Sequence, residues 1–326
     1  MSEENKNYDE YDATPLTMEE AIVEAKRCLN CKKPGCITGC PISNDIPDFI
    51  HQLSRGNFGE ARTILAGKTN LPAVCGRVCP HEKQCEGHCV LNRAGKPIRI
   101  GKLEQFIADF DADMNLIREK IPPKTRGNVA VIGSGPAGLT VAGDLAMMGF
   151  NVTVYEAEDE PGGVLLYGIP EFRLPKEVVR RETKRISELG VSFICNSIVG
   201  RDITIDQMFE SGFDAVFIGT GTAISKELNI PGKELTGVIQ SHYFLRMVAL
   251  YNSKSLERKE VPVDEGDTVL VIGAGNVAMD AARTALRMGA KSVTVVYRRG
   301  QENMSAEKAE YESAVADNVK FMWETS

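Results

Sequence analysis

The chain has 326 residues, of which 43% are hydrophobic and 25% charged, with a formal net charge of -7. This is the composition of a globular chain long enough for two or three domains, and its negative charge argues against nucleic acid as the main partner. The acidic stretch Met1–Asp12 lacks the basic start and apolar core of a secretory signal and is expected to be disordered; no run of about 18 apolar residues offers a membrane span, so a cytoplasmic setting is expected.

Residues 1–122 form a cysteine-rich segment that reads as helical. Thr17 and Glu20 have the spacing of a capping box, ahead of an apolar stripe made by Ala21, Ile22 and Ala25. Helical patterns recur at Ile46–Arg55, Phe58–Leu65 and Leu103–Asp113, and Pro122, Pro123 and Gly127 mark a linker.

Eight of the nine cysteines lie between Cys28 and Cys89. The first group is Cys28-x2-Cys31-x4-Cys36-x3-Cys40-Pro41; the second is Cys75-x3-Cys79-Pro80-x5-Cys85-x3-Cys89. With no export signal, clustered thiols point to metal ligation rather than to a disulfide framework. Structural zinc also takes sets of four cysteines, but usually as two C-x2-C knuckles, and only Cys28 and Cys31 form one here. Runs ending in Cys-Pro resemble ferredoxins, where the last cysteine can serve a second cluster, so iron–sulfur ligation is the expectation. The ninth, Cys195, follows the apolar Val191–Ile194 and is expected in the core; His51, His81, His88 and His242 form no spaced set.

From Asn128 the pattern changes to short apolar strands separated by helices. Val129–Ile132, Val152–Tyr155 and Ala215–Ile218 read as strands, Leu139–Met148 and Glu177–Leu189 as helices, the latter closed by Gly190. At Thr268 the opening recurs, with strands Val269–Ile272 and Val293–Val296 around the helix Ala278–Met288. The expected fold is therefore α/β with an N-terminal all-α iron–sulfur domain (1–122) and two Rossmann-like dinucleotide-binding units (123–255 and 256–326). The second unit reads as truncated, because a complete doubly wound domain needs more strands.

Gly133, Gly135 and Gly138 form G-x-G-x-x-G between a strand and a helix. The first glycine permits the tight turn, the second lets the backbone approach a pyrophosphate, and the third lets helix and strand pack closely. The helix N-terminus supplies free N–H donors for the phosphates. Glu156, 23 residues on at the end of the next strand, is placed for ribose hydroxyls. Gly273, Gly275 and Ala278 repeat the fingerprint, but Tyr297 stands where Glu156 stood and Arg298 and Arg299 follow. Replacing the acid by arginines suits a 2′-phosphate, which suggests NADPH at the second site and a flavin at the first.

The stretches CLNCKKPGCITGCP, CGRVCPHEKQCEGHC, IRIGKLEQF, GSGPAGL, EPGGVLLYGIPEFRLPK, GAGNVAMDAAR and VYRRGQENM together resemble the glutamate synthase small (beta) subunit family. Its relatives include the N-terminal half of dihydropyrimidine dehydrogenase and the large subunit of NADH-dependent ferredoxin:NADP oxidoreductase. The resemblance implies two 4Fe-4S clusters, one held by Cys28, Cys31, Cys36 and Cys89, the other by Cys40, Cys79, Cys85 and Glu104, with Cys75 left over. It implies FAD contacts from Gly133, Gly135, Pro136, Ala137, Gly138, Glu156, Gly163, Gly168 and Thr220. It implies NADPH contacts from Gly273, Gly275, Asn276, Ala278, Arg298 and Arg299. The implied activity is hydride transfer from NADPH to FAD, then electron transfer through the clusters to a large catalytic subunit or a ferredoxin-type acceptor, with no catalytic side chain. A ferredoxin-linked or bifurcating NADP transhydrogenase subunit and a non-catalytic electron-transfer subunit are the alternatives. Family members also carry a strand that returns to the flavin half with a Gly-Asp pair, which is absent from this sequence.

Overall fold

The computed structural model describes residues 14–114, 120–222 and 230–325. The stretch Met1–Asp12, expected to be disordered, lies outside the described residues. The described chain divides into two compact units, one comprising 13–165 and 174–221, the other 166–173 with 222–326.

The first unit opens with six helices: α1 (Met18–Lys26), α2 (Gly35–Gly39), α3 (Ile46–Ser54), α4 (Phe58–Ala66), α5 (Pro72–Val78) and α6 (Ile100–Met114). The expected capping box starts α1: Thr17 N–H donates to Glu20 Oε2 at 2.8 Å, and Glu20 N–H to Thr17 Oγ1 at 3.2 Å. The apolar faces of the helices meet in one core built on Phe49, Leu53, Leu65, Leu103 and Ile107, with Cys85 inside it. Phe106 and Phe110 stack against each other beside that core, and Phe58 meets Phe106 edge-on and Phe110 at a tilt.

A parallel sheet follows in the same unit: β1 (Asn128–Ile132), α7 (Pro136–Met147), β2 (Asn151–Tyr155), short α8 (Val164–Tyr167), α9 (Lys176–Glu188), β3 (Val191–Ile194), α10 (Ile205–Glu210) and β4 (Ala215–Ile218). The strand order is β3-β2-β1-β4, with Val129 opposite Val152 and Ala215. Its central strand β1 is buried from Val129 to Ile132, as strands covered on both faces are.

The helices and this sheet are joined by polar contacts. Asn70 donates to the Thr140 carbonyl and to Asp144 on α7, at 3.1 and 2.7 Å. Gly143 makes room for it, since a β-carbon there would lie 2.8 Å from Asn70 Cγ. On α9, Arg181 meets Asp109 of α6 at 2.7 Å and Arg185 meets Asp111 at 3.1 Å. Asp111 also holds Arg62 of α4 at 2.8 Å, both side chains being buried.

The second unit contains α11 (Ser241–Asn252), β5 (Thr268–Ile272), α12 (Asn276–Arg287), β6 (Ser292–Val296), α13 (Lys308–Ala316) and β7 (Lys320–Met322). The strand order is β5-β6-β7, all parallel. Helix α11 falls within the stretch 123–255 expected to form the first dinucleotide unit, yet it shares a core here with α12 through Phe244, Leu245 and Val248. On β5, an edge strand among the described residues, Leu270 and Ile272 are 65% and 62% exposed.

Cys195 departs from expectation. It follows β3, an outer strand of its sheet, and is only partly buried.

Candidate functional site

Four cysteines of the helical part come together around one cavity. Cys28, Cys31, Cys36 and Cys89 line one cavity, with Ile46, Ile50 and Ile98 as its apolar floor. Cys28 ends the turn after α1, Cys36 lies in α2, and Cys89 precedes a 3-10 turn (Val90–Ala94). Burial pushes the Cys36 thiol up to about 11, and the neighbouring Cys28 and Cys89 sulfurs add to the rise. Thiolates packed this closely would be stable only with a positively charged metal group among them.

A second cluster of groups surrounds Glu104 on α6. This residue is 6% exposed and its Oε1 has no hydrogen-bond partner among the described residues. Burial pushes its carboxyl well above the usual carboxylate range, and the facing Cys75 pushes the same way. Burial also raises the Cys85 thiol, which faces Glu86, Glu104 and Cys40. A buried acceptor without a donor is costly, and metal ligation is one way to satisfy it. Cys40, Cys85 and Glu104 thus share one neighbourhood. Cys79 joins it through Cys75, whose thiol sits against the Cys79 side chain and 3.7 Å from Thr69 Oγ1. Cys75, left over from the expected ligand sets, therefore lies beside the acid.

The first glycine fingerprint has the geometry its three positions require. Gly133 adopts φ +93°, and a β-carbon there would lie 2.6 Å from the Gly219 carbonyl. A β-carbon on Gly138 would collide with the Gly133 carbonyl, while Gly135 faces nothing within 4 Å. The packing glycines are therefore filled around and the middle one is left open, as a pyrophosphate cradle needs. Pro136 and Ala137 open α7, whose N-terminus points at that space. Thr220 lies against Gly133, and a β-carbon on Gly163 would fall 2.7 Å from the Gly135 Cα.

Glu156 follows the last residue of β2 and is 6% exposed. Its Oε2 accepts from Ser134 N–H at 2.9 Å and from the Ser134 hydroxyl, and its Oε1 accepts from Glu158 N–H at 2.9 Å. A carboxylate offers about four acceptor sites, so roughly one remains for a ribose hydroxyl. Ser134 sits at a variable position of the fingerprint, which is why sequence spacing does not mark it.

In the second unit Gly273 adopts φ +117° with nothing within 4 Å, and the nearest atom to a β-carbon on Gly275 is Ser305 Oγ at 3.4 Å. The Asn276 side chain faces inward: its Oδ1 accepts from Glu307 N–H at 2.8 Å, while Ser305 and Ala306 N–H groups donate to the Ala274 carbonyl. It fastens the 305–307 loop to the fingerprint turn. Ala278 is 8% exposed and carries its methyl without difficulty. Arg298 and Arg299 follow β6, are exposed, and meet no carboxylate among the described residues.

Gly168 lies in the eight-residue strap 166–173 that folds into this second unit. The strap is fixed on α12 and α13: Arg173 meets Asp280 at 2.7 Å and Glu310 at 2.8 Å. Phe172 lies under the Arg283 and Arg287 guanidinium groups, 4.3 and 4.0 Å from its ring centre. Burial pushes the Asp280 carboxyl up to about 7, against the pull of Arg173.

Residues 4–116 match the profile of dihydropyrimidine dehydrogenase domain II, 4Fe-4S cluster. Residues 127–326 match pyridine nucleotide-disulphide oxidoreductase. The chain belongs to the pyridine nucleotide-disulphide oxidoreductase family. Within it, this oxidoreductase is similar to the glutamate synthase (NADPH) small chain of Halomonas elongata, 38% identical over 95% of this chain and 66% of the relative. The glutamate synthase (NADPH) small chain of Escherichia coli K12 is also 38% identical, over 94% of this chain and 66% of its own length. A homologue of the NAD-dependent dihydropyrimidine dehydrogenase subunit PreT from Salmonella typhi is 36% identical over 95% of this chain and 72% of that protein. The oxidoreductase spans just under two-thirds of the length of the small chains it matches. Among solved structures, a 2-naphthoyl-CoA reductase shares the fold, with a TM-score of 0.54 over 87% of this chain and 41% of its own, at 19% identity. No helix among the described residues is long and apolar enough to cross a membrane.

Proposed function

We propose that this oxidoreductase is the NADPH-linked small subunit of a glutamate synthase-type enzyme, passing hydride from NADPH to FAD and electrons through two 4Fe-4S clusters to a large catalytic subunit. The observation that carries the reading is the cavity where Cys28, Cys31, Cys36 and Cys89 meet, in the same compact unit as the first glycine fingerprint. The names of its small-chain relatives support the choice of NADPH and of the large partner. When bound, FAD and the clusters supply the electron chemistry, splitting a two-electron donor into single electrons.

The chain's own residues bind and orient. Cys28, Cys31, Cys36 and Cys89 hold one cluster; Cys40, Cys79, Cys85 and Glu104 hold the other. Gly135 and the α7 N-terminus receive the flavin pyrophosphate, and Glu156 a ribose hydroxyl. Gly273, Gly275 and the α12 N-terminus receive the nicotinamide dinucleotide, with Arg298 and Arg299 on its 2′-phosphate. No side chain needs to move a proton in the hydride step.

The test is an anaerobic preparation assayed for iron, acid-labile sulfide and FAD, followed by NADPH addition under a flavin spectrum. Iron and sulfide in equal amounts with flavin bleaching by NADPH are expected. Stoichiometric zinc without iron, or no bleaching by NADPH, overturns the reading.

A further inference from the structure

The mouth of the cysteine cavity has a chemistry that cofactor binding leaves unused. Leu29 and Val90 both line the cavity, yet they are 60% and 45% exposed. Around them the chain is cationic: residues 26–44 and 89–102 each carry four Lys or Arg and no Asp or Glu, on a chain whose net charge is -7. Two of these cations are satisfied internally, since Arg27 and Arg99 both meet Glu24. Lys32, Lys33, Arg93 and Lys96 are exposed and meet no carboxylate among the described residues. Lys32 and Lys33 sit between Cys31 and Pro34, which line the cavity. Val90 and Arg93 are three apart on the 3-10 turn Val90–Ala94, so they share one face.

We propose that this face docks an electron-transfer protein whose own surface is acidic around an apolar centre. The proposal rests on the reading that the cavity holds a cluster. Redox encounters use small interfaces, generally below about 1,200 Å², in which complementary charge sets orientation and on-rate. Leu29 and Val90 supply an apolar contact that excludes water beside the cavity. The lysines and Arg93 supply the steering charge, which a net-negative chain would otherwise lack towards an acidic partner. A second copy of this chain is the wrong occupant, because it would bring the same cations to the contact.

The probe is an acidic plant-type 2Fe-2S ferredoxin, titrated into the full-length, iron-loaded protein. Binding is expected to weaken at least tenfold between about 50 and 300 mM NaCl, as screening shortens the reach of exposed charges. The double variant Lys32→Glu/Lys33→Glu, and independently Arg93→Glu/Lys96→Glu outside the cysteine motif, should each weaken it about tenfold or more at low salt. Leu29→Ser should weaken it several-fold and leave the salt slope unchanged. Lys184→Glu on α9 should leave it unchanged. Salt-independent binding, charge-reversed variants that bind like the parent, equal loss in Lys184→Glu, or self-association through the same residues would each overturn the proposal. Iron and sulfide are assayed on every sample. A protein without iron that still binds ferredoxin through these residues refutes the cluster and keeps the docking face. An iron-loaded protein that does not bind refutes the face alone.

Discussion

Asp111 on α6 holds the buried Arg62 of α4 at 2.8 Å and receives Arg185 of α9 on the same oxygen at 3.1 Å. One carboxylate therefore ties two helices of the cysteine-rich part to a helix of the first dinucleotide fold. Removing one partner of a buried pair leaves a charge in low dielectric, at a cost of about 3–5 kcal/mol. Asp111→Ala should destabilise the first unit by that order in urea unfolding. Arg185→Ala, whose side chain is 25% exposed, should cost about 1 kcal/mol or less. Equal effects of the two substitutions would count against this account.

The glycine fingerprint separates folding from binding. Gly135→Ala places a methyl in open space, so the unfolding temperature should stay within a few degrees while FAD affinity drops at least tenfold. Gly138→Ala drives a methyl into the Gly133 carbonyl, and overpacking of this kind costs about 1–3 kcal/mol or more. Thermal unfolding of the cofactor-free protein and flavin titration check both.

Glu104→Ala should remove or perturb one cluster and spare the other. Electron paramagnetic resonance of the reduced protein reads the two centres separately. Unchanged spectra and potentials for both would exclude Glu104 as a ligand.

Glu182 on α9 is buried among Arg62, Arg181 and Asp109, and accepts the Ala73 N–H at the start of α5. Burial pushes its carboxyl from 4.5 up to about 7 despite the two arginines. The fold thus prefers the protonated form. The stability this gives is fully present below about pH 4.5 and is lost as pH rises towards 7. Glu182→Gln should match the parent at pH 4 and gain on it by about 1–3 kcal/mol at pH 8. Urea unfolding at the two pH values tests this; a gap that does not widen with pH would contradict it.

Arg298 and Arg299 should select NADPH over NADH. The two dinucleotides differ only in the 2′-phosphate, and a hydrogen bond to a charged group contributes about 1.5–3 kcal/mol. Losing one such contact should weaken NADPH about ten- to a hundredfold and leave NADH nearly unchanged. Flavin reduction rates of Arg298→Ala, Arg299→Ala and the double variant with each dinucleotide measure this. A double variant that retains its preference for NADPH would reopen NADH as the donor.

Much of the fold is legible in the sequence because its fingerprints fix strand, turn and helix together, and because β1 is apolar along its buried length. Val129–Ile132, Val152–Tyr155 and Ala215–Ile218 pair as adjacent parallel strands, and the Thr17–Glu20 cap is formed. Helices α2 and α5 escape notice because, at five and seven residues, they are too short to show a period. The grouping of Cys28, Cys31, Cys36 and Cys89 comes from family likeness, since spacing alone permits many pairings of eight thiols. Ser134 and Cys75 acquire their roles only from three-dimensional neighbours, Glu156 and Cys79. Nothing in local pattern distinguishes such residues.

The strap 166–173 makes the second unit discontinuous in sequence. A gene segment encoding residues 222–326 alone would deliver α12 without Phe172 and Arg173, and so without the guanidinium that pairs with buried Asp280. A fragment cut at residue 222 would therefore leave the Asp280 carboxyl and the Arg283 and Arg287 guanidinium groups without the partners the strap supplies.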